Sequence, residues 1–202
     1  MMTRRFVLAT RNEKKRVELS AILGQALGED VEVLTAADLD LPEVAETGVT
    51  FEANALLKAH SAAAASGLPA IADDSGLAVD VLGGAPGIFS ARWAGRHGDD
   101  AANLRLLLDQ LADVPDEHRG AAFVCAAAYV GPDGAERVHR GRFTGRLIRS
   151  PRGDNGFGYD PIFVPEGEER TAAELTAAEK NARSHRFLAL TALAADLPPA
   201  LR

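Results

Sequence analysis

The stretch Ile71-Ala72-Asp73-Asp74-Ser75-Gly76-Leu77 decides the fold class, because it predicts an apolar strand that delivers two carboxylates to the edge of a sheet. Successive side chains of a strand point to opposite faces, so Asp73 and Asp74 cannot both enter the same core. An unpaired buried carboxylate is costly, and at least one of the two must meet water, a cation or a hydrogen-bond donor. Such oxygen ligands suit Mg²⁺, which takes one or two protein carboxylates and completes its shell with phosphates.

The segments around this strand predict an α/β fold. Phe6-Val-Leu-Ala9 and residues 31–34 have the composition of short buried strands. The first helix is indicated by apolar residues at helical spacing, namely Leu19, Ile22, Leu23, Ala26 and Leu27. A second helix begins after Thr50, a residue type that caps helices, and ends at Gly67. The capping-box motif Thr176-Ala-Ala-Glu179 marks the start of the closing helix. Strands and helices in alternation are typical of α/β proteins.

An antiparallel hairpin follows in the second half of the chain. Residues 121–130 and 135–149 have the composition of strands, and Gly131-Pro-Asp-Gly134 between them predicts a tight turn. The sheet should therefore mix parallel and antiparallel strands. We expect one domain over residues 1–202, with the hairpin region, about residues 120–150, in a smaller or peripheral lobe.

Composition and charge exclude several classes of function. The chain has 202 residues, 47% of them hydrophobic, which is ordinary for a globular protein. Its net charge of −7 and the lack of any basic run argue against binding of duplex nucleic acid. The single cysteine, Cys125, reads as a buried small hydrophobe and fits a reducing compartment. With no apolar stretch near the ~20 residues of a membrane span, and no signal-peptide core, we expect a cytoplasmic protein without a membrane role.

A candidate phosphate site lies where the first strand meets the first helix, in Thr10-Arg11-Asn12-Glu13-Lys14-Lys15. A helix N-terminus presents N–H groups and a partial positive charge that attract phosphate. Thr10 and Asn12 can donate hydrogen bonds, and Lys15 can reach a phosphate oxygen. The alternative is a capped and solvated first turn, which position alone favours. The segment is not a P-loop, because no Gly-Lys-Ser/Thr element is present.

Three further polar residues gain a role only if the fold brings them to the aspartate pair. Glu46 lies in an acidic loop, where a carboxylate is ordinarily just solvated, and it matters if it faces Asp74 across a metal ion. Asn54 and Lys58 are four residues apart and share one helix face. They are equally consistent with a surface pair and with a contact to the site.

The last third of the chain holds aromatic and cationic candidates. Gly156-Phe157-Gly158-Tyr159-Asp160-Pro161 combines a flexible backbone with rings that can stack on a base, although a tight turn with one ring in the core fits equally well. Lys180, His185 and Arg186 form a cationic group, for which an exposed basic surface is an equal alternative. On one continuous helix Lys180 and His185 would lie about 140° apart. Either the helix breaks near Ser184, or these residues approach a ligand from different sides.

Taken together in order, these motifs resemble those of the inosine triphosphate pyrophosphatase family of Ham1/RdgB-like proteins, and its bacterial members most of all. The resemblance extends from residue 5 to about residue 195. It is carried by Thr10-x-Asn12-x-x-Lys15, Glu46-Thr-Gly48, Phe51-x-x-Asn54-Ala55, Ala72-Asp-Asp-Ser-Gly-Leu77, Gly83-Gly-Ala-Pro-Gly87-x-x-Ser90-Ala-Arg92, Gly156-Phe-Gly-Tyr-Asp-Pro161, Thr171-Ala-Ala-Glu-Leu175, Glu179-Lys180 and Ser184-His-Arg186.

The resemblance implies Mg²⁺-dependent hydrolysis of the deaminated purine nucleotides ITP, dITP and XTP to the monophosphate and pyrophosphate, which cleanses the nucleotide pool. It also implies an elongated two-lobed α/β fold around a long mixed sheet, with the active-site cleft between the lobes, and a homodimer. One rival is a related enzyme that removes other abnormal nucleotides, pyrimidines included. Another is a module that senses ITP without cutting it, against which the acidic pair argues because a pure binder needs no activated water.

The resemblance also assigns roles to residues. Asp74 would be the general base and a Mg²⁺ ligand, Glu46 the second metal carboxylate, and Asp73 a supporting acid. Substrate contacts are implied for the triphosphate at Thr10, Arg11, Asn12, Glu13, Lys14, Lys15 and Lys180, and for the base at Phe157, Gly158, Tyr159, Asp160, His185 and Arg186. Ser75 would also contact the substrate. One position departs from the family, because Ala53 stands where many relatives carry glutamate. The neighbouring Glu52 is rotated by about 100° on a helix and inherits no role.

Overall fold

A computed structural model describes residues 3–28 and 30–201, apart from the side chain of Ala200. The strands are β1 Arg4–Leu8, β2 Val31–Thr35, β3 Ala70–Val79, β4 Gly120–Val130, β5 Glu136–Leu147 and β6 Phe163–Pro165. The α-helices are α1 Glu13–Leu27, α2 Phe51–Ser66, α3 Asp100–Gln110, α4 Ala177–Asn181 and α5 His185–Ala195. Short 3-10 helices occupy several of the connections. Within the described ranges, no helix combines the length and the apolar character that a membrane crossing requires.

The strands form one mixed sheet in the order β2-β1-β3-β4-β5-β6. β1 runs parallel to both β2 and β3, with Phe6 opposite Val33 and Val7 opposite Ala70. Parallel neighbours need a crossover connection, and α1 and α2 supply those two crossovers. β6 runs antiparallel to β5. The predicted α/β class and the mixed sheet are therefore confirmed.

The contacts within the chain divide it into two compact units. Unit 1 comprises Met1–Asp74, Cys125–Gly141 and Leu188–Arg202, and unit 2 comprises Ser75–Val124 and Arg142–Phe187. The turn of the β4–β5 hairpin belongs to unit 1, whereas the outer ends of both hairpin strands belong to unit 2. The expected single domain, the smaller lobe for the hairpin and the cleft between lobes stay predictions.

Each unit has a core of its own. In unit 1 the core is formed by β1, one face of α1 and the alanine-rich face of α2, with the fully buried residues Phe6, Val7, Leu8, Leu19, Leu23, Ala55 and Ala59. In unit 2 it includes the fully buried residues Leu77, Val79, Leu107, Leu111, Ile162 and Phe163. The apolar spacing of the sequence predicted four of the residues that α1 buries, Leu19, Ile22, Leu23 and Leu27, because burial of such a stripe is what holds an amphipathic helix against a sheet. Ala26, the fifth residue of the predicted stripe, is exposed.

Strand β3 is longer than its sequence indicates. The sequence predicts a strand that delivers its two aspartates to the edge of a sheet, but β3 continues through Ser75 and Gly76 to Val79. A Cβ atom at Gly76 would overlap the carbonyl oxygen of Gly87 and the hydroxyl of Ser90, so glycine here permits a close approach of another segment and does not break the strand. Asp73 and Asp74 consequently lie within a strand and not at its C-terminal end.

The C-terminal helical region is broken near Ser184, which is one of the two alternatives that the sequence left open. α4 begins at Ala177, after the N-cap Thr176, whose capping box with Glu179 is present, and ends at Asn181. The next helix, α5, begins at His185, and the Ser184 hydroxyl accepts a hydrogen bond from the backbone N–H of Phe187 at 3.1 Å. Ser184 therefore caps a new helix.

Candidate active site

Strand β3 presents Asp73 and Asp74 to different partners, as the alternation of a strand predicts. The Asp73 side chain is 2% exposed, and its Oδ2 lies 2.9 Å from Nζ of Lys15 in the first turn of α1. The Asp74 side chain is 13% exposed, and its Oδ2 accepts a hydrogen bond from Nδ2 of Asn54 at 3.0 Å. Both carboxylates thus satisfy the requirement that a buried charge be paired.

Glu46 and Asp74 approach the same cation. Nζ of Lys58 lies 2.6 Å from Oε1 of Glu46 and 3.8 Å from Oδ1 of Asp74. The Lys58 side chain is only 17% exposed, so this ammonium is held between the two carboxylates and not simply solvated. Residues 28 positions apart in the sequence are therefore close enough to share one positive charge, which is the condition that the predicted metal pair had to meet.

Helix α2 contributes two more polar residues, Asn54 and Lys58, to the surroundings of the two carboxylates. Its N-cap is Thr50, as predicted, whose hydroxyl accepts a hydrogen bond from the N–H of Ala53 at 3.1 Å. Asn54 and Lys58, one turn apart, both face the acids. Six residues of unit 1 form what we call the acidic cluster: Glu46, Asn54, Lys58, Asp74, Asp73 and Lys15.

The segment before α1 is a capped first turn. Asn12 is the N-cap, and its Oδ1 accepts hydrogen bonds from the N–H groups of Lys14 at 3.0 Å and Lys15 at 3.4 Å. The hydroxyl of Thr10 accepts from the N–H of Asn12 at 3.2 Å. Some of the N–H groups expected to meet phosphate are therefore already bonded within the segment. Its contact with phosphate stays a prediction.

The charged side chains of this segment diverge. Arg11 donates to the carbonyl oxygen of Leu41 at 3.0 Å. Glu13 accepts a hydrogen bond from Nε of Arg16 at 2.9 Å, which lowers the pKa of the Glu13 carboxyl. Lys14 is exposed, whereas Lys15 reaches Asp73.

A cavity of about 250 Å³ opens beside the acidic cluster, within unit 1. Thr10, Arg11 and Lys58 contribute polar groups to its wall, and Leu41 is among its apolar residues. The loop after β1 and the middle of α2 thus border one space that holds two cationic side chains.

A second cluster lies in unit 2, around the buried carboxylate of Asp160. That carboxylate accepts a hydrogen bond from the N–H of Phe157 at 2.9 Å and pairs with Nζ of Lys180. The same Nζ lies 5.2 Å from the centre of the Phe157 ring, within the range of a cation–π contact. The Phe157 ring itself is 77% exposed. We call these three residues the aromatic cluster.

The two aromatic residues of the Gly156–Pro161 loop have different environments. Tyr159 is buried, and its hydroxyl donates to the carbonyl oxygen of Ser90 at 2.9 Å; burial raises the pKa of this hydroxyl. The N–H of Gly158 donates to Oδ2 of Asp100 at 2.9 Å. Tyr159 therefore lies in the core, as in the alternative of a tight turn with one buried ring. Phe157 is the ring that remains accessible to a ligand.

The remaining predicted residues flank these groups. His185, the first residue of α5, stacks on Phe123 with ring centres 5.3 Å apart and planes 18° from parallel. Arg186 follows it and is half-buried. Because α4 and α5 are separate, the helical angle between Lys180 and His185 imposes no constraint. Ser75 is exposed on β3, directly after Asp74.

The comparison with protein families agrees with the motifs and with this geometry. Residues 6–196 match the model of the Ham1 family. The chain belongs to the Ham1 family. It is 65% identical over 192 residues to a protein of Streptomyces coelicolor named dITP/XTP pyrophosphatase, covering 94% of either chain. It is 57% identical over 199 residues to a Mycobacterium bovis protein of the same name, covering 98% of this chain and 95% of the relative.

Solved structures of relatives have the same fold. A dITP/XTP pyrophosphatase from Mycobacterium abscessus aligns with a TM-score of 0.79 at 56% identity, covering 96% of this chain and 99% of that one. A HAM1 protein from Coxiella burnetii aligns with a TM-score of 0.87 at 41% identity, covering 96% and 97%. The expected family and its α/β fold are thereby confirmed.

For two residues the sequence left open a surface pair or a contact to the site. The structure shows the contact, because Asn54 donates to Asp74 and Lys58 pairs with Glu46. The side chain of Glu52 extends toward Arg140, with Oε1 3.7 Å from Nη1. The spacing of Asn54 and Lys58 shows that they share one helix face, but it does not show which residues that face contacts.

Proposed function

We propose that this protein hydrolyses deaminated purine nucleoside triphosphates, namely ITP, dITP and XTP, to the nucleoside monophosphate and pyrophosphate, and so removes them from the nucleotide pool. The observation that carries the proposal is the convergence of Glu46 and Asp74 on the ammonium of Lys58, beside a cavity that Arg11 also lines. Membership of the Ham1 family and the names of its relatives support the same activity.

The acidic cluster suits Mg²⁺. The ammonium of Lys58 stands in for a cation that both Glu46 and Asp74 attract. In the described part of the chain, no group of three carboxylate, histidine or cysteine side chains is arranged to hold a metal ion. Two carboxylates are thus what the protein offers, and phosphate and water oxygens would fill the remaining positions. The ion would neutralise charge on the leaving pyrophosphate.

The protein's own residues have separable tasks in this reaction. Asp74 would accept a proton from a water molecule whose oxygen bonds to phosphorus, while the bond between that phosphorus and the bridging oxygen breaks and pyrophosphate leaves. Lys15 and Lys58 supply positive charge close to the carboxylates, which favours binding of a polyanion. Phosphoanhydride hydrolysis needs such positioning and charge neutralisation more than covalent chemistry.

The aromatic cluster is the proposed base site. The exposed ring of Phe157 offers a stacking face, and Lys180 lies over the same ring. Inosine and xanthine carry an oxygen at position 6 where adenine carries an amino group, so donors from His185 and Arg186 would select against adenine. An unpaired buried donor costs about 1–3 kcal/mol, or roughly tenfold to a hundredfold per contact. Exclusion of guanine must arise around position 2.

Phosphate release tests the proposal directly. Pyrophosphate formed from ITP, dITP, XTP, dUTP, GTP or ATP is converted by inorganic pyrophosphatase and measured with malachite green, with and without Mg²⁺. We expect turnover of ITP and XTP at least about tenfold above ATP, and none without a divalent ion. Omitting the coupling enzyme is the control, because the direct product is pyrophosphate and not phosphate.

Each rival predicts a different result in this assay. Preference for dUTP would indicate an enzyme for abnormal pyrimidine nucleotides. Binding of ITP in calorimetry without any turnover would indicate a sensor. The homodimer, expected from the resemblance, is tested separately by light scattering coupled to gel filtration.

A further inference from the structure

One buried amide joins the two segments that carry the proposed metal carboxylates. Nδ2 of Asn54 donates to Oδ2 of Asp74 at 3.0 Å, and Oδ1 of Asn54 accepts from the N–H of Gly48 at 2.8 Å. Gly48 lies two residues after Glu46 in the same loop. We propose that Asn54 is a positioning residue that orients Asp74 and holds the Glu46 loop in place at the same time. The inference rests on the proposed function.

The direction of the amide follows from its two partners. A peptide N–H can only donate, so the group of Asn54 that faces Gly48 must be the carbonyl oxygen. An ionised carboxylate can only accept, so the group that faces Asp74 must be the NH₂. Both requirements are met by one orientation of the side chain, and rotating it by 180° would break both bonds.

Burial protects the two hydrogen bonds of the Asn54 side chain from competition with water. Asn54 is 1% exposed, so water does not compete for its hydrogen bonds. A Cβ atom added to Gly48 would come within 2.7 Å of Oδ1 of Asn54 and 2.8 Å of Cβ of Ala53. The loop therefore lies directly against the first turn of α2, and glycine is required for that approach.

The link gives the two oxygens of Asp74 different tasks. Oδ2 takes the hydrogen bond from Asn54, whereas Oδ1 is the oxygen directed to Lys58 and, across it, to Glu46. Asn54 thus limits rotation of the carboxylate and keeps Oδ1 on the side where the shared cation would lie. Hydrogen-bond partners that orient metal ligands are typically worth about 10- to 100-fold in metal affinity or activity.

Two substitutions at this position separate the two bonds. Asn54→Ala removes both, whereas Asn54→Asp has nearly the same shape, keeps an acceptor for the N–H of Gly48 and loses the donor to Asp74. Thr50→Ala is the matched control, because it removes the N-cap of the same helix without touching the acids. We expect it to lower the melting temperature by a few degrees and leave turnover unchanged.

The readouts are kcat and KM for ITP at saturating Mg²⁺, thermal unfolding, and Mn²⁺ binding followed by electron paramagnetic resonance. We expect kcat to fall at least about tenfold in both Asn54 variants, with KM within about threefold of the unmodified protein. Asn54→Ala should also weaken Mn²⁺ binding about tenfold or more, since the Glu46 loop loses its anchor.

A folded Asn54 variant with unchanged kcat, or a loss confined to KM, would overturn the inference. Loss of the folded state in both variants would overturn it as well, because Asn54 would then serve the fold alone. Failure of the proposed function has a different signature, since the unmodified protein would itself leave ITP intact.

Discussion

Replacing Lys58 by methionine removes the positive charge between Glu46 and Asp74 while keeping most of the side-chain volume. Nζ lies 2.6 Å from one carboxylate and 3.8 Å from the other, and the Lys58 side chain is 17% exposed. Breaking such a partly buried pair leaves two carboxylates facing each other. Because Glu46 is about one-third exposed and screened by solvent, we expect a loss of about 1–2 kcal/mol of unfolding free energy without divalent ions. For a chain of this length, that is about 2–8 °C in Tm.

Differential scanning calorimetry in EDTA measures the loss of stability in the Lys58→Met variant. The same measurement in a MgCl₂ series measures how strongly the variant responds to Mg²⁺. If Lys58 occupies the place of the cation, Mg²⁺ no longer competes with an ammonium in the variant and binds more tightly. Ligand binding to the folded state raises Tm with ligand concentration, so the variant should gain more from Mg²⁺ than the unmodified protein does. Turnover need not be measured for this test.

Arg5→Met is the matched control, since it also replaces a cation in an ion pair by methionine. Arg5 and Glu32 are 2.9 Å apart and both are about half exposed, so the pair contributes little to stability. We expect a shift within about 0.5 kcal/mol and no change in the response to Mg²⁺. A Lys58→Met protein with an unchanged Tm in EDTA, or with the Mg²⁺ response of the unmodified protein, would refute the reasoning.

Three further substitutions test the site and the fold. Asp74→Asn should retain the fold but lower kcat for ITP at least about 10²-fold, and an unchanged rate would remove Asp74 as the base. Phe157→Ala should raise KM for ITP without lowering Tm, because the ring is largely exposed; a change in Tm alone would assign it to structure. Arg119 is 1% exposed and donates to the carbonyl oxygens of Leu111 at 2.6 Å and Val114 at 3.2 Å. Arg119→Met removes the guanidinium hydrogen bonds to both oxygens, although the N–H of Val114 still donates to Leu111 and Arg149 still donates to Val114. Urea unfolding should show a loss of about 1.5–3 kcal/mol, and less than about 1 would contradict the assignment.

The elements that local chemistry controls could be predicted from the sequence. Thr50 caps α2 because a hydroxyl can reach an N–H three residues ahead wherever the helix lies in the fold. The turn Gly131–Gly134 forms because glycine adopts the positive φ, here 81° at Gly134, that such a turn uses. Each of these signals needs only a few neighbouring residues.

The strand and the loop that were predicted less well depend on distant neighbours. β3 passes through Ser75-Gly76 because the residues around Ser90 pack against it, which nothing in the stretch itself indicates. Phe157 and Tyr159 are two residues apart in the same loop, yet Tyr159 is buried, with its hydroxyl bonded to the carbonyl oxygen of Ser90, whereas Phe157 is exposed. Composition alone treats the two rings alike.

By itself, the sequence determined the alternation of strands and helices in the first half of the chain, most of the apolar face that α1 buries, and the family to which the chain belongs. It also supplied the carboxylates and cations that a polyphosphate reaction requires. Only the tertiary structure decided which of these charges meet: Lys15 reaches Asp73 across 58 positions, and Lys58 rather than Arg11 lies between Glu46 and Asp74. The physical reason is that charge interactions depend on distance in space, and residues far apart in the chain acquire that distance only when the sheet and helices pack.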